Sequence, residues 1–284
     1  MLELIRNRGF KMLYDMHTHC NFSPDSPATL DEMCRSAIGK GIKAIALTDH
    51  LDVFSNLPFG MLYCGQQIHR YDASAIRAAV LAAREKYGDK LTLLYGVELA
   101  QPHVNPLPCE RFVKETDFDV VIGSLHCFYS GAEYYWAEYD DKSVDTLLKI
   151  YLDSELEMVR WGNFDVLAHL DYVLRYVRRA GLPHDFSGHM ERVRAIFELI
   201  IKKDIALEIN MGGFRYPTGV GPDAGVIKTY REMGGKLLSI GSDSHRPEHF
   251  NQGLDNAFAI AREAGFKEAV YYQKRIPHFY KFDD

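Results

Sequence analysis

The chain has 284 residues and a mass of 32.5 kDa, a length that suits one large domain or two modest ones. Hydrophobic residues make up 47% of it and charged residues 25%, which excludes a disordered, fibrous or mini-protein class. The net charge of -6 and the pI near 6.1 give no excess of basic residues with which to bind nucleic acid or an anionic membrane. A small-molecule partner is therefore favoured.

The N-terminus and the cysteines both indicate a cytoplasmic protein. Charges interrupt the only apolar stretch of residues 1–10, which makes it a poor signal peptide, and no later segment approaches ~18 uninterrupted apolar residues. The five cysteines are odd in number, and no two have the spacing of a zinc knuckle or a redox pair. We expect reduced thiols and no membrane partner, whereas the oligomeric state is not indicated by the sequence.

Short apolar or β-branched runs alternate with helical patterns along the chain. Seven runs are predicted strands: 12–16, 42–48, 91–98, 119–124, 165–168, 206–210 and 237–242. Helical patterns end near Gly41 and cover about 73–86, 143–160, 189–203 and 223–233. This alternation predicts an α/β fold with parallel strands, most simply closed as a seven-stranded (β/α) barrel. With no Pro/Gly/Ser linker, residues 1–284 are expected to form a single domain.

Two segments rich in Gly, Pro, Asn and aromatic residues, 52–71 and 101–108, are predicted to be long loops over one barrel face. In a parallel barrel the active site lies at the C-terminal ends of the strands. The polar residues that end or follow each predicted strand are therefore the candidates for chemistry.

Every predicted strand except the sixth has a His, Asp or Glu at or just after its end. These residues are His17 and His19, Asp49 and His50, Glu98, His126, His169 and Asp171, and Asp243 and His245. Because side chains alternate along an extended segment, His17 and His19 point the same way and can bind one metal. So many N and O ligands exceed the needs of one four-coordinate zinc, which predicts two or three adjacent metal ions.

These segments resemble the ordered motifs of the polymerase-and-histidinol-phosphatase (PHP) superfamily. The resemblance covers about residues 14–246 and is carried by His17-Thr-His19, Thr48-Asp49-His50, Gly96-Val97-Glu98, Gly123-Ser124-Leu125-His126, Ala168-His169-Leu170-Asp171 and Gly241-Ser242-Asp243-Ser244-His245. It implies a distorted seven-stranded (β/α) barrel, similar to a TIM barrel, with a trinuclear metal centre.

The resemblance also implies nine metal ligands. One ion would be bound by His17, His19, Glu98 and Asp243. Glu98 would bridge to a second ion bound by His126 and His169, and the third would be bound by Asp25, His50 and His245. Asp25 stands where some members of the superfamily have His. Mixed imidazole and carboxylate ligands are compatible with Zn, Mn or Fe.

Within the superfamily, three stretches look most like the monofunctional histidinol-phosphate phosphatases. They are Asn21-Phe22-Ser23-Pro24-Asp25-Ser26, the His-Leu-Asp-Tyr run at 169–172, and Glu-Ile-Asn-x-x-Gly-x-Arg at 208–215. These phosphoric monoester hydrolases convert L-histidinol phosphate to L-histidinol and phosphate in histidine biosynthesis. The resemblance implies this activity for the chain, with a phosphomonoester as its small-molecule partner.

Hydrolysis of a phosphate monoester needs charge neutralisation and an oxygen nucleophile, and clustered divalent ions provide both. We expect a hydroxide that bridges two ions to attack phosphorus in line. Asp243 and His245 are the catalytic candidates: Asp243 would orient the hydroxide, and a metal-site carboxylate or imidazole would protonate the leaving alkoxide. Arg215, followed by Arg175, is the candidate for binding the remaining phosphate oxygens, because a guanidinium donates two parallel hydrogen bonds.

Two further groups lie outside the motifs. The aromatic residues of 128–139 either wall an imidazole-sized pocket or pack in the core. The remaining histidines are assigned to surface or loop positions, with His103 the candidate exception because its loop follows Glu98; they are His69, His103, His184, His189, His249 and His278.

Three alternatives stay open. Another phosphoesterase of the same superfamily would act on a sugar phosphate, nucleotide or oligonucleotide end, because metal ligands set the reaction and loops set the substrate. A non-catalytic metal-binding barrel is disfavoured, since a structural zinc needs only four ligands. A metal-dependent amidohydrolase is weaker still, since no lysine stands at a strand end suited to bridging two metals.

Overall fold

A mostly parallel sheet organises the residues that the computed structural model describes, namely 13–65, 67–215 and 221–282. The strands are β1 (Leu13–Thr18), β2 (Ile42–Leu47), β3 (His50–Asp52), β4 (Met61–Cys64), β5 (Gln67–Arg70), β6 (Thr92–Ala100), β7 (Val120–Ser124), β8 (Val166–Leu167), β9 (Ala206–Asn210), β10 (Leu238–Gly241), β11 (Glu268–Gln273) and β12 (Ile276–Lys281). Residues 1–10 and Met12, which entered the assignments of the N-terminus and the first strand, lie outside the described residues.

Seven of these strands form the predicted barrel. Their order is β1-β2-β6-β7-β8-β9-β10, every neighbouring pair is parallel, and the short β3 adds a pairing with the end of β6. The first and last strands meet just beyond their ends, where the backbone N–H of His19 donates to the carbonyl of Ser244 at 2.8 Å. The expectation of a distorted, nearly closed (β/α)7 barrel is confirmed.

Helices separate most of the barrel strands. They are α1 (Leu30–Gly39), α2 (Ala73–Tyr87), α3 (Pro106–Glu115), α4 (Val144–Trp161), α5 (Tyr172–Arg179), α6 (Met190–Lys202), α7 (Ala224–Glu232) and α8 (Leu254–Glu263). A capping box starts α1, in which Thr29 and Glu32 satisfy each other's backbone N–H groups. In the described parts of the chain, no helix combines the length and the apolar character needed to cross a membrane.

The prediction of two long loops is partly wrong. Segment 52–71 contains the hairpin of β4 and β5, and segment 101–108 contains a short 3-10 helix, Pro102–Val104, and the first turn of α3. Pro106 occupies the first position of α3, where a missing N–H costs nothing, so proline is as compatible with a helix start as with a loop. Burial of Cys109 and Val113 then fixes α3 against the core.

The barrel interior is filled by apolar strand side chains, four of them alanines, and by a hairpin from the C-terminal part of the chain. One buried cluster combines the strand residues Met16, Ala44, Ala46, Leu94, Val120, Ile122, Val166, Ala168 and Ala206 with Val270 and Tyr272 of β11. Because alanines line much of this interior, room remains for the hairpin side chains.

The turn between β11 and β12 is fastened to the N-terminal ends of the barrel strands. Arg275 Nε donates to both carboxylate oxygens of Asp165, at 3.0 and 3.1 Å, and the backbone N–H of Arg275 donates to the Asp119 carbonyl at 2.8 Å. Asp119 and Asp165 directly precede β7 and β8. The hairpin therefore covers one end of the barrel, and the polar residues gather at the other.

Replacing the hairpin arginine tests this closure. We expect Arg275→Ala to lower the free energy of unfolding by about 1–3 kcal/mol, because the mostly buried Asp165 carboxylate loses its ion pair. Arg77→Ala is the matched control, since the Arg77–Asp117 pair is well exposed on both sides and its loss should change the free energy of unfolding far less. Denaturant unfolding measures both, and equal effects of the two substitutions would contradict the anchoring role of Arg275.

Candidate metal centre

The nine predicted ligands come together at the C-terminal end of the barrel. They reach it from β1, β3 and β6, from the segments that follow β7, β8 and β10, and from the turn before α1: His17, His19, Asp25, His50, Glu98, His126, His169, Asp243 and His245. Parallel strands place all their C-terminal ends at one side, which is why residues so distant in sequence meet.

Glu98 is the hub of this cluster. Its side chain is fully buried, and imidazole nitrogens of five histidines surround its two oxygens. The contacts of Oε2 are 2.8 Å to His50 Nδ1, 3.3 Å to His17 Nε2 and 3.5 Å to His19 Nε2, and those of Oε1 are 2.9 Å to His169 Nε2 and 3.1 Å to His126 Nε2.

Two other carboxylates flank the hub. Asp243 Oδ1 lies 3.4 Å from His19 Nε2 and 3.9 Å from His17 Nε2. Asp25 Oδ2 lies 3.1 Å from His245 Nε2 and 3.5 Å from His50 Nε2. The donor atoms therefore form one continuous cluster, in which His50 contacts both Glu98 and Asp25.

Acceptors behind the imidazoles orient them. His17 Nδ1 lies 2.9 Å from Glu208 Oε1, and His126 Nδ1 lies 3.2 Å from Asp52 Oδ1. Because an ionised carboxylate only accepts, each of these Nδ1 atoms carries the proton, and the Nε2 lone pair is left for the centre. A carboxylate behind a histidine in this manner is the usual support of a metal-binding imidazole.

The free atoms at the centre fit a divalent cation. His17 Nε2, His19 Nε2 and Glu98 Oε2 are buried and make no hydrogen bond within the described residues. Such atoms are costly unless something satisfies them. Imidazole nitrogens and carboxylate oxygens are the ligands that Zn, Mn and Fe accept, so the donor set suits these metals.

Opposite charges within the cluster shift the pKa values of its members. Burial alone would raise the pKa of Glu98, but His17 and His126 outweigh it and hold that pKa well below its usual value. Burial likewise opposes protonation of His126, yet Glu98 and Asp52 raise its pKa to about 10. Burial lowers the pKa of His19 and of His169, so only some of the imidazoles hold a second proton, which a bound metal ion must displace from the nitrogen that it takes.

Backbone strain accompanies the ligand at the end of β10. Asp243 has φ of 54°, in the left-handed region that a non-glycine residue adopts rarely. Two residues earlier, a Cβ on Gly241 would lie 2.2 Å from Glu208 Oε1 and 2.4 Å from His17 Cβ. Only glycine allows β10 to approach β1 and β9 this closely.

A cavity of about 430 Å³ opens above the cluster. Both predicted phosphate-binding arginines line it beside Asp243. Arg175 is buried with Nη1 3.5 Å from Asp243 Oδ2, and Arg215 donates from Nη1 and Nη2 to the carbonyls of Ser242, at 3.0 Å, and Asp243, at 2.7 Å. Both guanidinium groups therefore lie at the cavity lining next to Asp243.

Another wall of the cavity is acidic and aromatic. Glu133, Tyr135 and Trp136 line it, whereas Tyr134 is buried in the core. Some aromatic residues of segment 128–139 therefore line the cavity and others pack in the core. The reason is that successive residues of its short 3-10 helix, Tyr134–Trp136, face different surroundings.

Two assignments of the remaining histidines are wrong. His249 lines the cavity, where its Nδ1 accepts from the backbone N–H of His245 at 3.3 Å. His189 is buried and pairs with Asp145 at 3.1 Å. His103 lies outside the cavity lining, and its burial lowers its pKa to about 4.

Sequence reasoning missed the residues that support the ligands. Asp52 follows His50 by two positions on an extended segment, a spacing that puts both on one face. Glu208 and Asn210 are polar residues inside the buried run of β9. A charge within an otherwise apolar strand was the available signal, because such a charge needs a partner in the core.

The comparisons with known proteins agree with this geometry. The family model described as PHP domain matches residues 15–212. A protein of Thermotoga maritima named probable histidinol-phosphatase is 26% identical, covering 93% of this chain and 97% of its own length. A histidinol-phosphatase of Lactococcus lactis is 27% identical and covers 91% of this chain and 93% of itself.

A solved structure shares the fold. It is the histidinol phosphate phosphatase of Lactococcus lactis, complexed with Zn, L-histidinol and phosphate. The TM-score is 0.77 at 23% sequence identity, and the match covers 94% of this chain and 98% of that chain.

The role of Asp52 behind His126 can be tested through metal binding. We expect Asp52→Asn to weaken the affinity of one ion by ~10–100-fold, because the amide no longer fixes the imidazole with a charged acceptor. Metal titration of the apo-protein measures this affinity. Asp145→Asn, which removes the acceptor behind His189 away from the centre, is the control, and equal metal affinities in the two variants would contradict the role.

Proposed function

The chain belongs to the PHP domain family, and from this membership we propose that it is a histidinol-phosphate phosphatase, which hydrolyses L-histidinol phosphate to L-histidinol and phosphate. One observation carries the proposal: a cluster of nine N and O donors underlies a cavity whose lining includes Arg175, Arg215 and the carboxylate of Glu133. The names of the relatives from Thermotoga maritima and Lactococcus lactis, and the L-histidinol and phosphate in the latter's structure, support this substrate.

Two or three divalent ions, Zn, Mn or Fe, are part of the proposal. When bound, such ions neutralise phosphate charge and lower the pKa of a bound water towards 7. His17, His19, Glu98 and Asp243 would hold one ion, Glu98, His126 and His169 a second, and Asp25, His50 and His245 the third. The short donor distances around Glu98, Asp243 and Asp25 support this division.

Asp243 is the proposed catalytic carboxylate. Its Oδ1 faces His19 and its Oδ2 faces Arg175, so it lies between the metal cluster and the place of the phosphate. From there it orients the attacking water. Proton donation to the leaving oxygen is assigned to His245, because contact with Asp25 raises its pKa against the effect of burial, and its side chain is 17% exposed.

Arg175 and Arg215 are proposed to bind the phosphate oxygens that the metal ions leave free. Both guanidinium groups flank Asp243, and both line the cavity. A planar guanidinium donates two parallel hydrogen bonds to a phosphate, which also fixes the orientation of the ester.

Glu133 is proposed to bind the ammonium group of the substrate. Its carboxylate is half-buried at the cavity wall, where burial and then Asp52 raise its pKa. The charged groups that act on it are the carboxylates Asp52 and Asp25 and the imidazole of His126, so it stands in a negative region. A cationic amine relieves this repulsion, and Tyr135 and Trp136, which also line the cavity, supply aromatic surface for an imidazole ring.

A cytoplasmic location belongs to the same proposal. All five cysteines are free thiols, as expected in a reducing compartment. The acidic balance of the chain supports a small-molecule substrate over a nucleic acid.

The activity is tested with a panel of esters. Phosphate release from L-histidinol phosphate is compared with release from sugar phosphates, nucleotides and p-nitrophenyl phosphate, using enzyme loaded with Mn or Zn. We expect a preference for histidinol phosphate of ~100-fold or more in kcat/KM. Comparable turnover of another ester would move the protein to a different phosphoesterase function, and no release from any ester would support a non-catalytic metal-binding barrel.

The ammonium-binding role of Glu133 has its own test. We expect Glu133→Gln to raise KM for L-histidinol phosphate by ~10-fold or more, because the amine loses a charged partner. Hydrolysis of p-nitrophenyl phosphate, which has no amine, should stay unchanged. Glu138→Gln, at an exposed position of the same segment, is the control. An equal loss with both substrates would contradict the role.

A further inference from the structure

Strand β9 contributes none of the nine predicted ligands, yet its end is buried and polar. Glu208 and Asn210 are both fully buried, two residues apart on the same face of β9. The fold thus buries two polar side chains, at a cost in free energy, on a strand that supplies no predicted metal ligand.

The partners of these two side chains connect a metal ligand to a cavity arginine. Glu208 Oε1 accepts from His17 Nδ1 at 2.9 Å, and Glu208 Oε2 accepts from Asn210 Nδ2 at 3.0 Å. Asn210 Oδ1 in turn accepts from Arg175 Nη2 at 2.7 Å and from the backbone N–H of Gly212 at 2.8 Å. One continuous relay therefore runs from His17 to Arg175.

The hydrogen bonds fix the orientation of the Asn210 amide. Only its oxygen accepts, and it receives two donors, while its NH₂ group donates to a carboxylate that only accepts. If the amide were flipped, its NH₂ group would face the N–H donors of Arg175 and Gly212, and its oxygen would face the Glu208 carboxylate. Asn210 therefore presents a fixed neutral acceptor to the guanidinium of Arg175.

Neutrality at this position matters for the charge in the cavity. Arg175 is buried, and the carboxylate of Asp243 is 3.5 Å from its Nη1. An asparagine holds the guanidinium without cancelling its charge, whereas an aspartate would pair with it and would also repel Glu208. Asn210 therefore orients Arg175 without adding a further carboxylate to the one with which it already pairs, Asp243.

The chain after β9 is shaped to keep this relay closed. A Cβ on Gly212 would lie 2.8 Å from both Asn210 Oδ1 and Asp243 Oδ2. The glycine lets its own N–H approach the Asn210 oxygen while the backbone passes close to Asp243.

We propose that Asn210 is a positioning residue that aims Arg175 at the phosphate group of the substrate and couples that arginine, through Glu208, to the metal ligand His17. The proposal rests on the proposed function in one respect, that Arg175 binds phosphate. It assigns to β9, which supplies no predicted metal ligand, the role of orienting side chains of the site.

A double-mutant cycle on phosphate binding tests the proposal. Calorimetry measures the binding of inorganic phosphate to zinc-loaded wild-type protein, Asn210→Ala, Arg175→Ala and the double variant, with the metal content of each determined. We expect Asn210→Ala to weaken phosphate binding by ~10-fold at unchanged metal content, and to cause less than ~2-fold further loss once Arg175 is removed. An equal loss in both backgrounds, no loss at all, or loss of metal from Asn210→Ala would overturn it.

Two further variants complete the design. Asn210→Asp keeps the shape of the side chain, and its added charge should weaken phosphate binding at least as much as Asn210→Ala does. Asn163→Ala is the control, because Asn163 Oδ1 accepts from Arg275 Nη1 at 3.2 Å at the opposite end of the barrel and its loss should leave phosphate binding unchanged. Wild-type affinity in Asn210→Asp would contradict the proposal.

Phosphate binding tests the positioning role of Asn210, whereas ester hydrolysis tests the proposed phosphatase activity, so the two proposals can fail independently. The cycle uses no ester, so a protein that fails to hydrolyse histidinol phosphate can still show the coupling between Asn210 and Arg175. If Arg175→Ala binds phosphate as tightly as wild type, the positioning role is refuted, while the phosphatase activity can stand on the ester panel.

Discussion

The burial of one carboxylate, Glu98, is the constraint on which the rest of the structure depends. A charged carboxylate without access to water is costly unless opposite charge surrounds it. Here five imidazoles surround its oxygens, and the charges of His17, His126 and His50 hold its pKa well below the usual value. The five come from β1 and the residue after it, from β3, and from the segments after β7 and β8. No single helix or hairpin can bring ligands so far apart in sequence to one oxygen pair, whereas a closed parallel barrel does so at its C-terminal end.

The two ends of the barrel differ in polarity. At the N-terminal end, the hairpin of β11 and β12 fills the interior with Val270 and Tyr272 and satisfies Asp165 through Arg275. At the other end, each polar side chain supports another: Glu208 and Asp52 hold the imidazoles of His17 and His126, and Asn210 holds Arg175. The apolar side chains of the hairpin and the polar metal centre thus occupy opposite ends of the same barrel interior.

The sequence predicted the barrel and the gathering of the ligands. Each apolar run, and the His, Asp or Glu that follows it, can be identified from the local sequence without knowledge of its neighbours in the fold. It did not predict α3 or the β4–β5 hairpin, since proline and glycine are compatible with loops, helix starts and turns alike. The supporting roles of Glu208 and Asn210 were not predicted, because both act on side chains from other elements, and such contacts exist only once the chain has folded. The single domain and the roles of the individual ligands stay predictions.

The metal content of wild-type protein and of Glu98→Gln tests the central claim most directly. The substitution keeps the shape of the side chain and removes its charge, and circular dichroism shows whether the barrel persists. The account predicts two or three divalent ions per wild-type chain by elemental analysis and the loss of most of them from Glu98→Gln, because the first two proposed ions share this carboxylate. A folded Glu98→Gln variant that retains the full wild-type complement of metal would contradict it.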